Sequence, residues 1–535
     1  MLKAVVLRLR SLFEDRNQAD LEIAWRKILI LALIFLHILP LWIFKYFPSQ
    51  DGAAHVYNSY VLKALNDEES TFLREYYKLN LTLFPNWCSH IFMALLMHVF
   101  PPLVSEKILL SLIVALFPLS LFYFLDAVNK GQNLFGFLGF LFSHHYLMLM
   151  GFYNFALSVP LYFFALGYFM KHREEMHLSK MGILNLLCIL TYFCHIISYG
   201  LLILSLTLLS ITSFYRKPRR IFGLLTAMLP LYFIMVNYLL SSDVGQASIS
   251  IDMRWVRFVS AEAWSYLLNN QALVYFTNAH QIVTRLMLVM LGVVFAITLI
   301  HRIRQRQIVT EGNQFLLLSG ILTFIYFIMP WSVGSGAWVN DRVSLFIFPV
   351  MLAFLKEDYH KHIRNGLIII IVILSIARLS ISCRYYYPLD KSMKEFTSGM
   401  EFIEKDKIVL GLSSDRSPGV KDVLPSTHEE YVEPFTHVVD YYCLNNGCVS
   451  LSNYEAQFPY FPLNWTEKIP EVIHYIVAWK LDETDPEASG NDIKGTHGLD
   501  VREITDSLRT DYDLIHSTEN LKLYRHRAVQ SDGAE

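Results

Sequence analysis

The residues best placed for chemistry lie in PSQDGAAHVYN, residues 48–58. Asp51 and His55 are four apart, so a helix starting near Gly52 would carry them on one face. Asp51 could then serve as a general base, or as half of a metal site, with His55 hydrogen-bonded to it. An Asp at that position equally suits a helix N-cap, with His55 as an ordinary residue of a membrane interface. Asn58 adds an amide to the same stretch. Arg342 stands just before an apolar run and needs a partner. Asp341, a lipid headgroup or a phosphate would serve, the last because the planar guanidinium grips phosphate well. Glu106, Lys107, Tyr153, Asn154, His195 and Arg254, with Arg257 near it, complete the polar candidates for binding a substrate. His144, His145, His195 and His55 lack a tight ligand spacing such as HExxH, which favours hydrogen-bonded interfacial histidines over a metal cluster. Asp51 and Glu106 leave a divalent cation open. There is no Gly-rich nucleotide loop and no nucleic-acid-binding patch. NLT at Asn80 and NWT at Asn464 match glycosylation sequons.

The elements that must position these residues are mostly lipid-soluble. The chain has 535 residues, 54% hydrophobic and only 17% charged, with mean hydropathy +0.36. Repeated apolar runs near the length of a bilayer crossing mark a polytopic membrane protein. The expected spans begin with residues 28–44. Then come 109–125, 134–150, 155–170, a run 181–215 that divides at Cys194–His195, 221–240, 282–300, 315–331, 343–355 and 366–382. Residues 1–27 read as a basic amphipathic segment on the cytoplasmic surface. Residues 87–100 are short for a span. If they crossed, the basic stretches 171–180, 216–220, 301–307 and 356–364 would all fall outside; if they lie in the interface, all four fall inside, as the positive-inside rule prefers. That parity gives about eleven transmembrane helices and a first outer loop of about 46–107 with interfacial helices at 53–65 and 87–100. The N-terminus is then cytoplasmic, and the unusual polar residues gather on the outer side.

From Arg384 onward there are about 27 acidic and 15 basic residues, against about 20 and 30 before it. This tail, 384–535, reads as an extracytoplasmic soluble α/β or α+β domain. KIVLGLS, HVVDYY, YIVAWKL and the hairpin DYDLIHS/LKLYRHR are its expected strands. Cys443 and Cys448 could pair there or stay as thiols.

FPSQDGAAHVYN, NLTLFPNWCSHIFMALL, VFPPLVSEKILLSL and GFYNFALSVPL together resemble the GT-C class of integral membrane glycosyltransferases, including bacterial members with a D-G-x-x-H first loop and a GFYNF turn. The resemblance covers about residues 28–382 in architecture. It implies transfer of a sugar from a polyprenyl-phosphate donor to an acceptor glycan, lipid or protein, with inversion. It implies that Asp51 is the first-loop acid that activates the acceptor or helps bind a metal. The class often carries a second acid in its second outer loop; here the matching turn holds Tyr153 and Asn154. A transporter or flippase of a lipid-linked substrate, and a non-catalytic envelope assembly protein, are the alternatives.

Overall fold

The computed structural model describes residues 18–67, 70–82, 84–130, 133–241, 260–305, 312–332, 337–355, 358–413, 432–444, 446–481 and 501–530. Most of segment 1–27 lies outside these residues, as do Arg254 and Arg257. The protein is mainly helical, with a small sheet region near its C-terminus.

Six helices are long and apolar enough to cross a membrane: Ile23–Ile43, Pro102–Asn129, Tyr153–Glu175, Ile196–Ser213, Ala279–Arg304 and Lys361–Phe402. A seventh crossing is available if Pro218–Ala227 and Leu229–Leu240, bent by 53°, count as one. The chain is therefore a membrane protein by length and composition. Leu178–Cys194 and Asn313–Ile328 are apolar but shorter. Tyr153–Glu175 sits at the centre of the bundle, 83% buried, whereas Ile23–Ile43 is 22% buried and peripheral. The central helix begins with Tyr153 and Asn154, so both are fixed by packing on every side.

Three of the expected apolar runs are broken, 181–215 at the predicted place. Residues 134–150 form a 3-10 turn, Leu134–Leu138, and two short helices, Gly139–Phe142 and Tyr146–Leu149. The break falls at His145, whose extended backbone lets its Nδ1 accept the Met148 N–H. The run 181–215 divides at His195 in the same way, with Nδ1 accepting the Ile197 N–H at 3.2 Å. The third is the bent pair at Met228. In each His break the ring replaces a helical acceptor for one amide of the helix that follows.

The first loop carries the helices Gly52–Ala64 and Cys88–Leu96. The second has nine residues, about 13 Å at the helical rise, and is too short to cross. The long last helix does not stop at the expected domain boundary. It runs unbroken as Lys361–Phe396, past Arg384 and through Pro388.

The C-terminal region holds a five-stranded mixed sheet. Its strands are β2 (Ile408–Ser413), β3 (Val449–Ser450), β5 (Tyr475–Trp479), β6 (Tyr512–Ser517) and β7 (Leu521–His526), in the order β3-β2-β5-β7-β6. β2 runs parallel to β3 and β5, and β6–β7 is the expected hairpin. HVVDYY is not a strand. Val438–Cys443 is a 3-10 turn with all six residues buried, although its composition matches that of a strand.

This region is bound to the first loop at several points. β1 (Tyr77–Leu79) of the loop pairs antiparallel with β4 (Leu463–Trp465). The Tyr57 hydroxyl donates to the Cys448 carbonyl at 2.8 Å and accepts from Ser450 N–H at 3.1 Å. Asn58 and Asn453 exchange amide hydrogen bonds at 2.9 and 3.0 Å. The Tyr46 amide donates to Asp390 of the last helix at 2.9 Å. The bundle thus has two unlike ends. One faces the C-terminal region and holds Asp51. The other gathers cations that bond carbonyls, such as Arg220 to Arg173 and Arg302 to Phe354, both at 2.7 Å.

Candidate active site

Asp51 lies where three segments meet. Gln50 N–H donates to the Leu149 carbonyl at 2.9 Å and Asp51 N–H to the Met150 carbonyl at 3.2 Å, which seats the turn on residues 149–151. Two glycines make that approach feasible. Gly151 has φ +86°, and a Cβ there would stand 2.7 Å from Asp51 N and 2.8 Å from Gly52 N. A Cβ on Gly52 would collide with Ser49 Oγ and Tyr153 OH. Gly151→Ala is therefore expected to cost roughly 1–3 kcal/mol of stability, through both left-handed strain and displacement of Asp51. Thermal melting in detergent checks this, and an unchanged Tm would mean that the turn relaxes freely.

Asp51 occupies the position before the helix Gly52–Ala64, but its carboxylate makes no capping bond. It is turned instead toward Tyr454 and Gln50, which hydrogen-bond it, and His437, whose Nε2 lies 3.7 Å from Oδ1. His437 stacks on the Tyr454 ring at 4.6 Å. Burial is the main reason the Asp51 carboxyl is pushed up to about 7; His55 opposes the shift and Glu455 adds to it.

His55 lies one turn further on. Its Nδ1 is 2.6 Å from Glu455 Oε1, and its ring also bonds the Gly151 carbonyl. Burial opposes a charge on His55, yet the Glu455 carboxylate and then Asp51 more than reverse this, so its pKa is raised. His90, on Cys88–Leu96, places Nε2 2.8 Å from Glu455 Oε2. Burial would push Glu455 up, but the two imidazoles override it and hold the carboxyl down to about 2. All three residues are buried, and Phe461 covers both rings.

Two imidazoles and a carboxylate, with ligand atoms within 4.8 Å of one another, form the kind of donor set that binds zinc. The neighbouring Asn154 argues otherwise. Its Oδ1 accepts the Ser89 N–H at 2.8 Å and its Nδ2 donates to the Asn86 carbonyl at 2.9 Å, which fixes the amide's orientation. The remaining N–H of Nδ2 faces His90 Nδ1 at 3.3 Å, so Nδ1 must accept. The proton of the neutral His90 ring then sits on Nε2 and is donated to Glu455. A metal at Nε2 requires that nitrogen bare, so the residues do not fit a cation in this arrangement. They form a buried ion-pair cluster, with His90 donating to Glu455 Oε2, His55 Nδ1 facing Oε1 at 2.6 Å, and His55 Nδ1 also 3.2 Å from His90 Nε2.

The other candidates divide between this site and its supports. Tyr153 donates to Glu106 Oε1 at 2.6 Å and shares a 2.8 Å bond with Ser49 Oγ beneath Gly52. Arg342 stacks on Phe152 at 4.7 Å and Phe155 at 5.8 Å, donates to the Ala337 carbonyl at 2.7 Å, and interacts electrostatically with Asp341 first, then with Tyr460, Asp51 and Tyr454. Its Nε is buried without a partner among the described residues. His195 lies against Phe155 at 5.2 Å, within the field of Arg342. Asp51, His55, Glu106, Tyr153, Asn154, His195 and Arg342 therefore share one end of the bundle around residues 149–155. Asn58 is instead closed in its amide pair with Asn453. Lys107 points away, donating to the Phe44 carbonyl at 2.8 Å over the Trp42 ring. Arg254 falls outside the described residues.

The sequence singles out none of Glu455, Tyr454, His437 and His90 as a site residue. The sequons carried an indirect signal. Asn80 Nδ2 donates to the Pro459 and Phe461 carbonyls at 2.6 and 2.8 Å, and Asn464 Nδ2 to the Phe458 carbonyl at 3.0 Å. Both amides are used to hold the loop that follows Glu455, rather than presented to solvent. No family model matches the chain, and no curated protein matches it.

Proposed function

We propose that the protein is a glycosyltransferase of GT-C type. It would move a sugar from a polyprenyl-phosphate lipid to an acceptor glycan, lipid or protein, at the membrane face where Asp51 lies. One observation carries the reading: a buried carboxyl with a pKa of about 7, hydrogen-bonded by Tyr454 and Gln50 and within the field of Arg342, at the end of a membrane helix bundle. A base is most useful when its pKa lies near the working pH. In the reaction, Asp51 takes the proton of the acceptor hydroxyl as its oxygen bonds to the anomeric carbon. The bond from that carbon to the phosphate oxygen breaks, and the polyprenyl phosphate leaves with the electron pair. Direct displacement inverts the anomeric centre. Arg342, with one N–H unused among the described residues, stabilises the phosphate.

The topology belongs to the same proposal. Eleven crossings, counting the shorter and interrupted helices, put the N-terminus in the cytoplasm and the Asp51 end outside, as in a bacterial inner membrane. The cations at the opposite end support that orientation. The soluble C-terminal domain then lies outside, over the site.

A transporter or flippase is a second reading, favoured by the three interrupted helices, since broken helices often form binding sites in transporters. Against it, the polar groups collect at one end of the bundle, and the ring nitrogens of His145 and His195 are each already taken up by an amide at their breaks.

The test is transfer in proteoliposomes containing labelled polyprenyl-phosphate sugars and a membrane extract as acceptor. Label is expected to move to the acceptor with wild-type protein, and Arg342→Ala is expected to raise KM for the lipid donor roughly tenfold or more. Label that moves only across the bilayer, still attached to its lipid, would replace this reading with the flippase.

A further inference from the structure

Four of the six cysteines stand in two pairs that the proposed reaction does not use. Cys88, at the start of Cys88–Leu96, donates its thiol to the Leu190 carbonyl at 3.8 Å and lies within the electrostatic reach of Cys194, the last residue of the same helix Leu178–Cys194. The backbone brings them together, because Trp87 N–H donates to the Phe193 carbonyl at 2.9 Å. Cys443 and Cys448 form the second thiol pair, across the turn between the 3-10 segment Val438–Cys443 and β3. Both pairs sit at the Asp51 end. Cys88 precedes His90 by two residues, Cys194 precedes His195, and the Cys448 carbonyl accepts from Tyr57. Cys188 and Cys383 have no thiol neighbour among the described residues.

We propose that Cys88–Cys194 and Cys443–Cys448 are disulfides in the mature protein, formed by exchange with a disulfide-donating oxidoreductase on the side of the membrane that holds Asp51. In each exchange, one thiolate attacks the oxidoreductase's disulfide to give a mixed disulfide. The second thiolate then displaces the oxidoreductase's sulfur. Two thiols lose two protons and two electrons, and the donor disulfide becomes a dithiol. Each pair contains a suitable attacker: the partner thiol holds Cys88 and Cys448 below the usual thiol range. The Cys88–Cys194 bond would clamp the helix carrying Ser89 and His90 to the break at His195. That fixes His90 against Asn154 and Glu455. The Cys443–Cys448 bond would brace the turn that follows His437.

The test is mass-spectrometric mapping of full-length protein purified without reductant and alkylated in denaturant. Two alkylated cysteines, Cys188 and Cys383, are expected before reduction and six after it, with cross-linked peptides joining 88 to 194 and 443 to 448. Six alkylated cysteines before reduction would overturn the proposal, as would bridges between other partners. The inference shares only its orientation with the functional reading. A failure here leaves the Asp51 transfer assay unaffected, and a failed transfer assay leaves these bonds measurable.

Discussion

Asp51→Asn is expected to abolish sugar transfer while raising the stability of the protein at alkaline pH. The loss should be of order 10²–10⁴-fold, the usual contribution of a positioned base. The gain follows from linkage. The Asp51 carboxyl is near 3.8 in an unfolded chain and about 7 when folded, mainly because it is buried. Between those values the folded state holds a proton that the unfolded state has lost, so stability falls as pH rises through this window. The gap of about three units corresponds to roughly 4 kcal/mol of folding free energy that the ionised carboxylate costs above pH 7. Asn has no such charge. Its Tm should therefore exceed that of the wild type at pH 8, with the difference shrinking toward pH 4. Equal melting curves at pH 8 would mean that Asp51 ionises freely and is not a tuned base.

Glu455→Gln should act in the opposite direction. Glu455 forms ion pairs with His55 and His90 at 2.6 and 2.8 Å in a buried cluster. Removing its charge strands His55, and breaking a buried pair from one side typically costs about 3–5 kcal/mol. The pH behaviour separates this from ordinary core damage. In the wild type, the Glu455 carboxyl lies at about 2 against 4.5 unfolded, so its contribution is present above 4.5 and lost as pH falls through 2. The raised His55 pKa adds stability that is complete below 6.5 and is lost as pH rises through its folded value. In the variant only Asp51 and the Gly151 carbonyl still favour a charged His55, and burial, the largest influence on the ring, is expected to pull its pKa down. The variant should then lose stability on acidification below 6.5, where the wild type does not. Asp51 also loses the His55 charge, the stronger of its two neighbours, so any residual activity should reach half-maximum at a higher pH. A uniform loss of Tm with an unmoved pH profile would reduce Glu455 to a packing residue.

Much of the bundle was legible because apolar length is a local signal. The break at Cys194–His195 and the short helices of the first loop were legible for the same reason. The strands 408–413 and 475–479 and the C-terminal hairpin carry strong β-propensity and turn residues. HVVDYY carried the same propensity but folds as a buried 3-10 turn, because tertiary context overrides β-propensity. The site was legible only in half. Asp51, His55, Tyr153, Asn154 and Arg342 stand out as polar residues at the ends of apolar runs. Glu455, Tyr454 and His437 reach Asp51 and His55 from some 400 positions away, and no local pattern announces such a contact. The turn at 153–154 lacks a second acid, yet its residues lead to two: Tyr153 binds Glu106, and Asn154 orients the histidine that binds Glu455.

The most direct test of the account is the pH dependence of kcat/KM for transfer from a polyprenyl-phosphate sugar by reconstituted protein. A single ionisation with a midpoint near pH 7 is expected, with activity rising as Asp51 loses its proton, and no such limb in Asp51→Asn. A rate that stays flat between pH 5 and 9, or an Asp51→Asn variant that transfers sugar as the wild type does, would contradict it.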